Sequence, residues 1–150
     1  AQLDRFLLRV PMGYPGRVAE LDLLRLQSAA PPEVTQLLSA EQILGLQARL
    51  PEIHASNTVL EYIIDLAEES RKHPDVALGA SPRASLTLLR CGRARAFLDG
   101  RAFVTHEDIQ AIASGVLSHR LILRPEAEVE GKQSRDVVQE LLETVVVLQE

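Results

Sequence analysis

Apolar residues recur every three to four positions along most of this chain, which is the period of an amphipathic α-helix. This pattern, with the prolines and glycines that interrupt it, predicts an all-α fold, a bundle of about five to six helices. The predicted helices cover approximately residues 17–28, 39–50, 57–72, 82–99, 106–118 and 134–145.

Several of the predicted helices begin or end at recognisable capping residues. Ser39 is followed three positions later by Gln42, which fits a capping box. Ser81 is expected to cap the fourth helix, and Pro82 is expected at its first position, where the missing N–H costs nothing. Gly100 is expected in the left-handed conformation that ends this helix, and the fifth helix is expected to begin after Thr105.

The composition of the apolar positions also favours helices. Aromatic residues make up only 3% of the chain, so the core is expected to consist of Leu, Ile, Val and Ala, which suit packed helices better than a sandwich of strands. In the third and fourth helices, the residues predicted to face the core are Leu60, Ile63, Ile64, Ala67, Leu86, Leu89, Ala96 and Phe97.

The apolar run from Phe6 to Met12 precedes the helices and has two interpretations. It is either a strand, whose sheet is expected before Ala1, or an extended arm packed on the helices. Residues 12–16 have turn composition and are interpreted as a hinge. We therefore assign residues 1–16 to the edge of another domain and its hinge, 17–125 to a helical domain, and 126–150 to an extension. Residues 120–132 are expected to be irregular or extended.

Charge and cysteine content exclude several classes of function. The formal net charge is −5, which is opposite to that of most nucleic-acid-binding domains. Cys91 is the only cysteine, so no internal disulfide and no cysteine-based metal site is expected. No apolar run of about 18 residues and no signal peptide are visible, so no membrane partner and a cytoplasmic location are expected.

Motifs for nucleotide or metal chemistry are not complete within the chain. Gly131-Lys132 lacks the upstream glycine and the following Ser or Thr of a phosphate-binding loop. Tyr62–Asp65 imitates a magnesium-binding strand, but its surroundings have a helical period. The four histidines are far apart and show no metal-binding spacing, so no metal site is expected.

A row of arginines on the fourth helix is the most distinctive chemical feature. Five arginines lie between Arg83 and Arg101, against one acid, Asp99. Arg83 lies in the first turn, where the helix dipole disfavours a cation, and a bound anion such as phosphate would explain it. The alternative, which spacing alone favours, is a row that faces solvent or forms ion pairs.

Three stretches in order resemble the C-terminal part of MoxR-family AAA+ ATPases. They are AQLDRFLLRVPMGYP, HPDVALGASPRASLTLLRCGRARAFLDGRAFVTHEDI and LSHRLILRPEAE. The similarity covers most of the chain and is strongest at residues 1–15 and 71–126. The resemblance implies a helical lid domain of AAA+ type, whose phosphate-binding motifs are expected before Ala1. It follows that this chain alone is expected to hydrolyse nothing.

The resemblance also implies roles for individual residues. Arg5 matches the arginine finger that reaches the nucleotide of a neighbouring subunit, with Arg9 as a competing candidate. Arg83 matches the sensor 2 arginine, which contacts phosphate in its own subunit. Tyr14 and Pro15 match the hinge where adenine packs.

The same resemblance implies cofactors and partners for the intact protein. The cofactors are ATP and magnesium. The partners are neighbouring subunits in a ring, a hexamer by analogy, and a von Willebrand A-domain protein. The activity implied is a chaperone-like one on client complexes. Two other classes remain open from the residues themselves. One is a stand-alone helical module whose arginine row docks an acidic partner, and the other is a nucleic-acid-binding helical domain.

Overall fold

The computed structural model describes residues 3–26 and 33–147, which are mainly helical. Within these ranges, no helix combines the length and apolar character that crossing a membrane requires. Short 3₁₀ turns lie at Leu3–Arg5 and Leu50–Glu52. The described residues form α1 (Arg17–Leu26), α2 (Ala40–Arg49), α3 (Asn57–Lys72), β1 (Val76–Leu78), α4 (Pro82–Leu98), α5 (His106–Leu117), β2 (Ile122–Leu123), α6 (Pro125–Val129) and α7 (Ser134–Thr144).

The chain divides into two compact units. One comprises Ala1–Arg9 together with Ala48–Glu150, and the other comprises Val10–Gln47. The second unit holds α1 and most of α2, and neither helix has a buried residue among those described. The hydrophobic core that the structure describes therefore belongs to the first unit.

The core lies between α3, α4, α5 and α7. Leu66, Leu88, Ile109 and Val137 are fully buried there, one from each helix. Gly92 lets α4 approach α5 closely, because a Cβ at this position would lie 2.6 Å from the Ile109 Cδ1 atom. Such dense interlocking makes the core sensitive to the addition of a single methyl group.

Local sequence signals placed the helix ends well. The bounds of α3 agree with the prediction, and at α2 Ser39 and Gln42 form the predicted reciprocal capping bonds of 2.7 and 3.1 Å. Gly100 has a φ of 74°, as expected of the residue that ends α4. Thr105 caps α5 through a complete capping box. The expectation of an all-α bundle is confirmed.

Two residues assigned to the core are on the surface. Ile64 is 51% exposed and Leu86 is 64% exposed. On α3 the buried face is instead centred on Tyr62, Ile63 and Leu66, because this helix packs against both α4 and α7. The apolar stripe predicted for α3 was therefore wrong by a fraction of a turn, because contact with two neighbouring helices widens and rotates the buried face.

Of the two segments predicted to be non-helical, one needs correction and the other is decided between its two interpretations. Residues 120–132 contain β2, which pairs antiparallel with β1, and the short helix α6, which brings the helix number to seven among the described residues. Of the two interpretations of the run Phe6–Met12, the extended arm is found and the strand is not. Phe6 and Leu7 are about half exposed, and we call residues 6–9 the arm.

A buried carboxylate, Asp108, joins the end of α4 to the start of α5. It is 2% exposed and accepts two bonds from the Arg101 guanidinium, of 2.6 and 2.7 Å, while Arg95 lies at 3.5 Å. Burial raises the pKa of Asp108, but hydrogen bonds from Arg101 and Thr105 outweigh it, so its pKa is lowered.

We expect Asp108→Asn to lower the free energy of unfolding by about 2 kcal/mol at neutral pH, since the bonds lost are charge-assisted. Because the pKa of Asp108 is lower in the folded chain, its contribution is present above the unfolded value of about 3.9. That contribution is lost as the pH falls through the folded pKa. Urea unfolding at pH 7 and near pH 3 measures both effects.

The matched control is Asp99→Asn, because Asp99 binds the same Arg101 at 3.1 Å but is exposed. An exposed pair contributes less than about 1 kcal/mol, so this variant should unfold nearly as the parent does. Equal losses in the two variants would contradict a special role for the buried carboxylate.

Candidate functional site

Arg83 lies where the sequence placed it, in the first turn of α4. Ser81 has an extended backbone, with φ −77° and ψ 164°, and Pro82 occupies the first helical position. The Arg83 side chain is exposed, and within residues 3–26 and 33–147 it makes no side-chain hydrogen bond or ion pair. Its guanidinium is therefore free to bind an anion at the amino end of the helix.

Ser81 does not use its side chain to cap α4. Its hydroxyl instead donates to the Asp4 carboxylate, at 3.2 Å to Oδ1 and 3.3 Å to Oδ2. Asp4 belongs to the 3₁₀ turn Leu3–Arg5, and it precedes Ser81 by 77 positions. The start of α4 is thus bonded directly to the turn that carries Arg5.

Arg120 fixes the same turn from the other side. Its side chain is 1% exposed, and Nε lies 3.2 Å from Asp4 Oδ1. The remaining guanidinium nitrogens donate to the carbonyl oxygens of Asp4, Phe6, Leu7 and Val116. The planar guanidinium has five N–H donors in a fixed geometry, and here it joins the turn and the arm to α5.

The arm packs closely along the end of α5. The Arg9 amide donates to the Gly115 carbonyl at 2.9 Å. A Cβ on Gly115 would lie 2.8 Å from Leu8 Cδ1, so the absence of a side chain there allows the close approach. The His119 imidazole Nε2 lies 3.2 Å from the Phe6 carbonyl oxygen.

Arg5 projects from this arrangement rather than joining it. Its side chain is exposed, and its guanidinium lies 5.5 Å from the centre of the Phe6 ring, within the range of a cation–π contact. Asp4, its neighbour in sequence, is bonded on both sides. The position of Arg5 is therefore determined by the backbone of a fixed turn, while its guanidinium remains accessible.

A cleft of about 710 Å³ lies between the 3₁₀ turn and the loop before α4. Asp4, Ser81 and Arg120 line it together with Arg71 and His119. Arg71 does not point freely into the cleft, because its Nε donates to the Ala80 carbonyl at 2.8 Å. The cleft therefore runs along the contact between the 3₁₀ turn and the loop before α4, which the hydrogen bonds of Asp4 hold together.

The arginine row of α4 divides into two parts. Arg95 and Arg101 pair with the buried Asp108, so the alternative of an ion-paired row applies to this end. Arg83 and Arg90 are exposed at the other end, and the structure records no ion pair for either among the described residues. Arg83 and Arg90 therefore remain available to a ligand or partner. Arg93, the fifth arginine of the row, is half-buried, and its Nε has no hydrogen-bond partner among the described residues.

Tyr14 and Pro15 belong to the other compact unit, Val10–Gln47. Tyr14 is 98% exposed there. Their assignment to an adenine-binding hinge stays a prediction.

Three groups able to bind a metal, His73, Asp75 and Glu140, come together near β1. Their ligand atoms lie within 4.8 Å of one another. The Lys132 ammonium binds Asp75 at 2.5 Å and Glu140 at 2.8 Å, which raises the pKa of Lys132 and lowers those of both acids. The Lys132 ammonium therefore already occupies the space between the two carboxylates and offsets part of their charge, and the cluster ties α7 to the start of β1.

Sequence reasoning missed the residues that connect the site. Asp4, Ser81 and Arg120 lie far apart in sequence, and Ser81 was assigned to capping. One signal was present: Arg120 interrupts the apolar stretch LSHRLIL. An arginine in such surroundings is either exposed or buried with several partners, and here it is buried.

Comparison with known proteins supports the expected family. Residues 68–141 match the AAA lid domain family. The chain is 40% identical over 149 residues to the uncharacterized protein YeaC of Bacillus subtilis (strain 168), covering 98% of this chain and 47% of that protein. It is 33% identical over 158 residues to chaperone MoxR1 of Mycobacterium tuberculosis, covering 99% and 42%.

A solved structure extends the comparison to the fold. The crystal structure of a "putative ATPase" from Cytophaga hutchinsonii superposes with a TM-score of 0.91 at 30% identity, covering 99% of this chain and 48% of that chain. The chain thus spans somewhat less than half the length of the relatives it matches. The AAA lid match includes α4 with Arg83, and the likeness in fold extends over nearly the whole chain. The chain belongs to the MoxR-type AAA+ ATPases and represents their C-terminal region, which contains the lid domain.

Proposed function

We propose that this chain is the part of a cytoplasmic MoxR-type ATPase that senses ATP and transmits its hydrolysis to client complexes. In this proposal residues 1–16 are the edge of the ATPase core and its hinge, 17–125 form the lid, and 126–150 form an extension. The observation that carries the proposal is the exposed Arg83, without a side-chain partner among the described residues, at the amino end of α4.

Arg83 would bind the phosphates of ATP in its own subunit. The positive end of the α4 dipole and a bidentate guanidinium both favour an anion at this point. Magnesium bound with ATP in the intact protein would neutralise phosphate charge. The side chain can therefore respond to whether the terminal phosphate is present, and the helix that carries it would move with that response.

Arg5 would act on the nucleotide of the neighbouring subunit. Its exposed guanidinium projects from a turn fixed by Asp4, which suits a finger that crosses a subunit boundary. A contact in trans requires a head-to-tail arrangement, and a closed ring, such as a hexamer, provides one for every subunit. The cycle would remodel a client complex, with a von Willebrand A-domain protein as a candidate partner.

The two rival functions draw on the exposed Arg83 and Arg90. In these alternatives, the two arginines would bind an acidic protein partner or nucleic acid. The net charge of −5 counts against nucleic acid, and the lid assignment accounts for Arg83 without a further partner.

In the intact ATPase we expect Arg83→Ala to weaken ATP binding about 10-fold or more, because a charge-assisted contact to phosphate is lost. Titration with a fluorescent ATP analogue measures the dissociation constant. Arg135→Ala is a suitable control, since Arg135 is an exposed arginine near the start of α7. Unchanged nucleotide affinity in Arg83→Ala would remove the sensor assignment.

We expect Arg5→Ala to leave ATP binding nearly unchanged and to reduce turnover by about 10³-fold or more, as for other arginine fingers. Rings mixed from Arg5→Ala subunits and subunits with an inactivated phosphate-binding loop test the action in trans. Activity should return only at interfaces that pair an intact loop with an intact Arg5. The finger would have to be reassigned, with Arg9 next, if Arg5→Ala turned over normally.

A further inference from the structure

The hydroxyl of Ser81 is used in a way that its position does not require. A serine at the first position before a helix normally accepts a bond from a backbone N–H of the first turn. Here the Ala84 amide bonds to the Ser81 carbonyl at 2.9 Å, and the side chain makes no capping bond. The hydroxyl donates to Asp4 instead. As a result, α4 has no side-chain cap from Ser81, and its start is bonded to the turn Leu3–Arg5.

The Asp4 carboxylate is shared between two parts of the fold. Oδ1 lies 3.2 Å from Ser81 Oγ and 3.2 Å from Arg120 Nε. Arg120 is buried, and it also binds the backbone of the turn and the arm. Arg120, which follows α5, therefore holds the Asp4 carboxylate in its orientation. Ser81, which precedes α4, donates its hydroxyl hydrogen to the same carboxylate.

The loop that holds Ser81 is itself rigidly attached. The Ala80 amide donates to Ser70 Oγ at 2.9 Å, and Arg71 Nε donates to the Ala80 carbonyl at 2.8 Å. A Cβ on Gly79 would lie 2.6 Å from the Arg71 Cα, so backbone meets backbone at this point. A displacement of Ser81 is consequently a displacement of the whole start of α4, including Arg83.

We propose that the hydrogen bond between Ser81 and Asp4 couples Arg83 to Arg5, which makes Asp4 and Ser81 positioning residues that connect two nucleotide sites of the ring. This inference rests on the proposed function, in which Arg83 senses the nucleotide of its own subunit and Arg5 serves the neighbour. The bond gives the shortest described connection between them: Arg83 is two residues from Ser81, and Arg5 is adjacent to Asp4.

The consequence is cooperation between adjacent subunits. Ser81 binds the Asp4 turn to α4, and Arg120 holds it on α5. A movement that brings Arg83 toward phosphate therefore carries this turn along with both helices, and Arg5 is placed at the next site. Coupling of this kind is reciprocal, so the occupancy of the neighbouring site also affects Arg83. The link lies outside the reacting atoms, and its loss should affect turnover and cooperativity more than nucleotide affinity.

Ser81→Ala in the intact ATPase tests the link, because it removes the hydroxyl and leaves the bonds between Asp4 and Arg120. We expect the Hill coefficient for ATP to fall toward one, because the coupling between sites is lost. We expect kcat to fall about 10-fold, because Arg5 is less well positioned at the neighbouring site. Nucleotide affinity should stay within about 2-fold. Ser81→Thr keeps a hydroxyl and should restore both kcat and the Hill coefficient. Ser85→Ala, on the same helix without a described hydrogen bond, is the matched control.

Asp4→Ala provides a second variant, because alanine has no acceptor for the Ser81 hydroxyl, and the double variant with Ser81→Ala completes a cycle. If the two residues act through one bond, the double variant should be no worse than Asp4→Ala alone. Normal kcat and cooperativity in Ser81→Ala, with Arg5→Ala and Arg83→Ala both defective, would overturn this inference and leave the proposed function standing. Normal behaviour of both arginine variants would overturn the two together.

Discussion

The burial of the Arg120 guanidinium is the constraint on which the arrangement of the candidate site depends. A buried cation is costly unless its charge and its N–H groups are satisfied. Most acceptors that satisfy Arg120 come from Asp4, Phe6 and Leu7, more than 110 positions earlier in the chain. The arm must therefore lie on α5, because only then does the buried guanidinium find these acceptors. Arg5 belongs to the 3₁₀ turn that precedes the arm, so its position depends on the same contacts.

Helix bounds were predictable because the signals that set them are local. Ser39 and Gln42, Gly100, and Thr105 act within a few residues of the ends they define, and each was found as predicted. The same holds for half of the site. Arg83 follows Ser81 and Pro82, so its place in the first turn of α4 could be inferred from sequence alone.

The connections within the site could not be predicted in this way. Whether Ser81 caps its helix or binds Asp4 depends on where a distant segment lies, and nothing near Ser81 in sequence records that. The exposure of Ile64 and Leu86 has a similar origin, since the buried face of a helix depends on how many neighbours it has. Resemblance to a family assigned roles to Arg5 and Arg83, but it did not indicate the contacts that join them.

The attachment of Gly79 and Ala80 to the end of α3 has a mechanical consequence. Because backbone contacts backbone there, a rotation of the start of α4 would be transmitted to α3. With 16 residues, α3 is about 24 Å long. A rotation of about 5° at the loop would therefore move the opposite end of α3 by about 2 Å, given that length. Under the proposed function, a small movement of Arg83 beside a phosphate would in this way become a larger movement at the far end of α3.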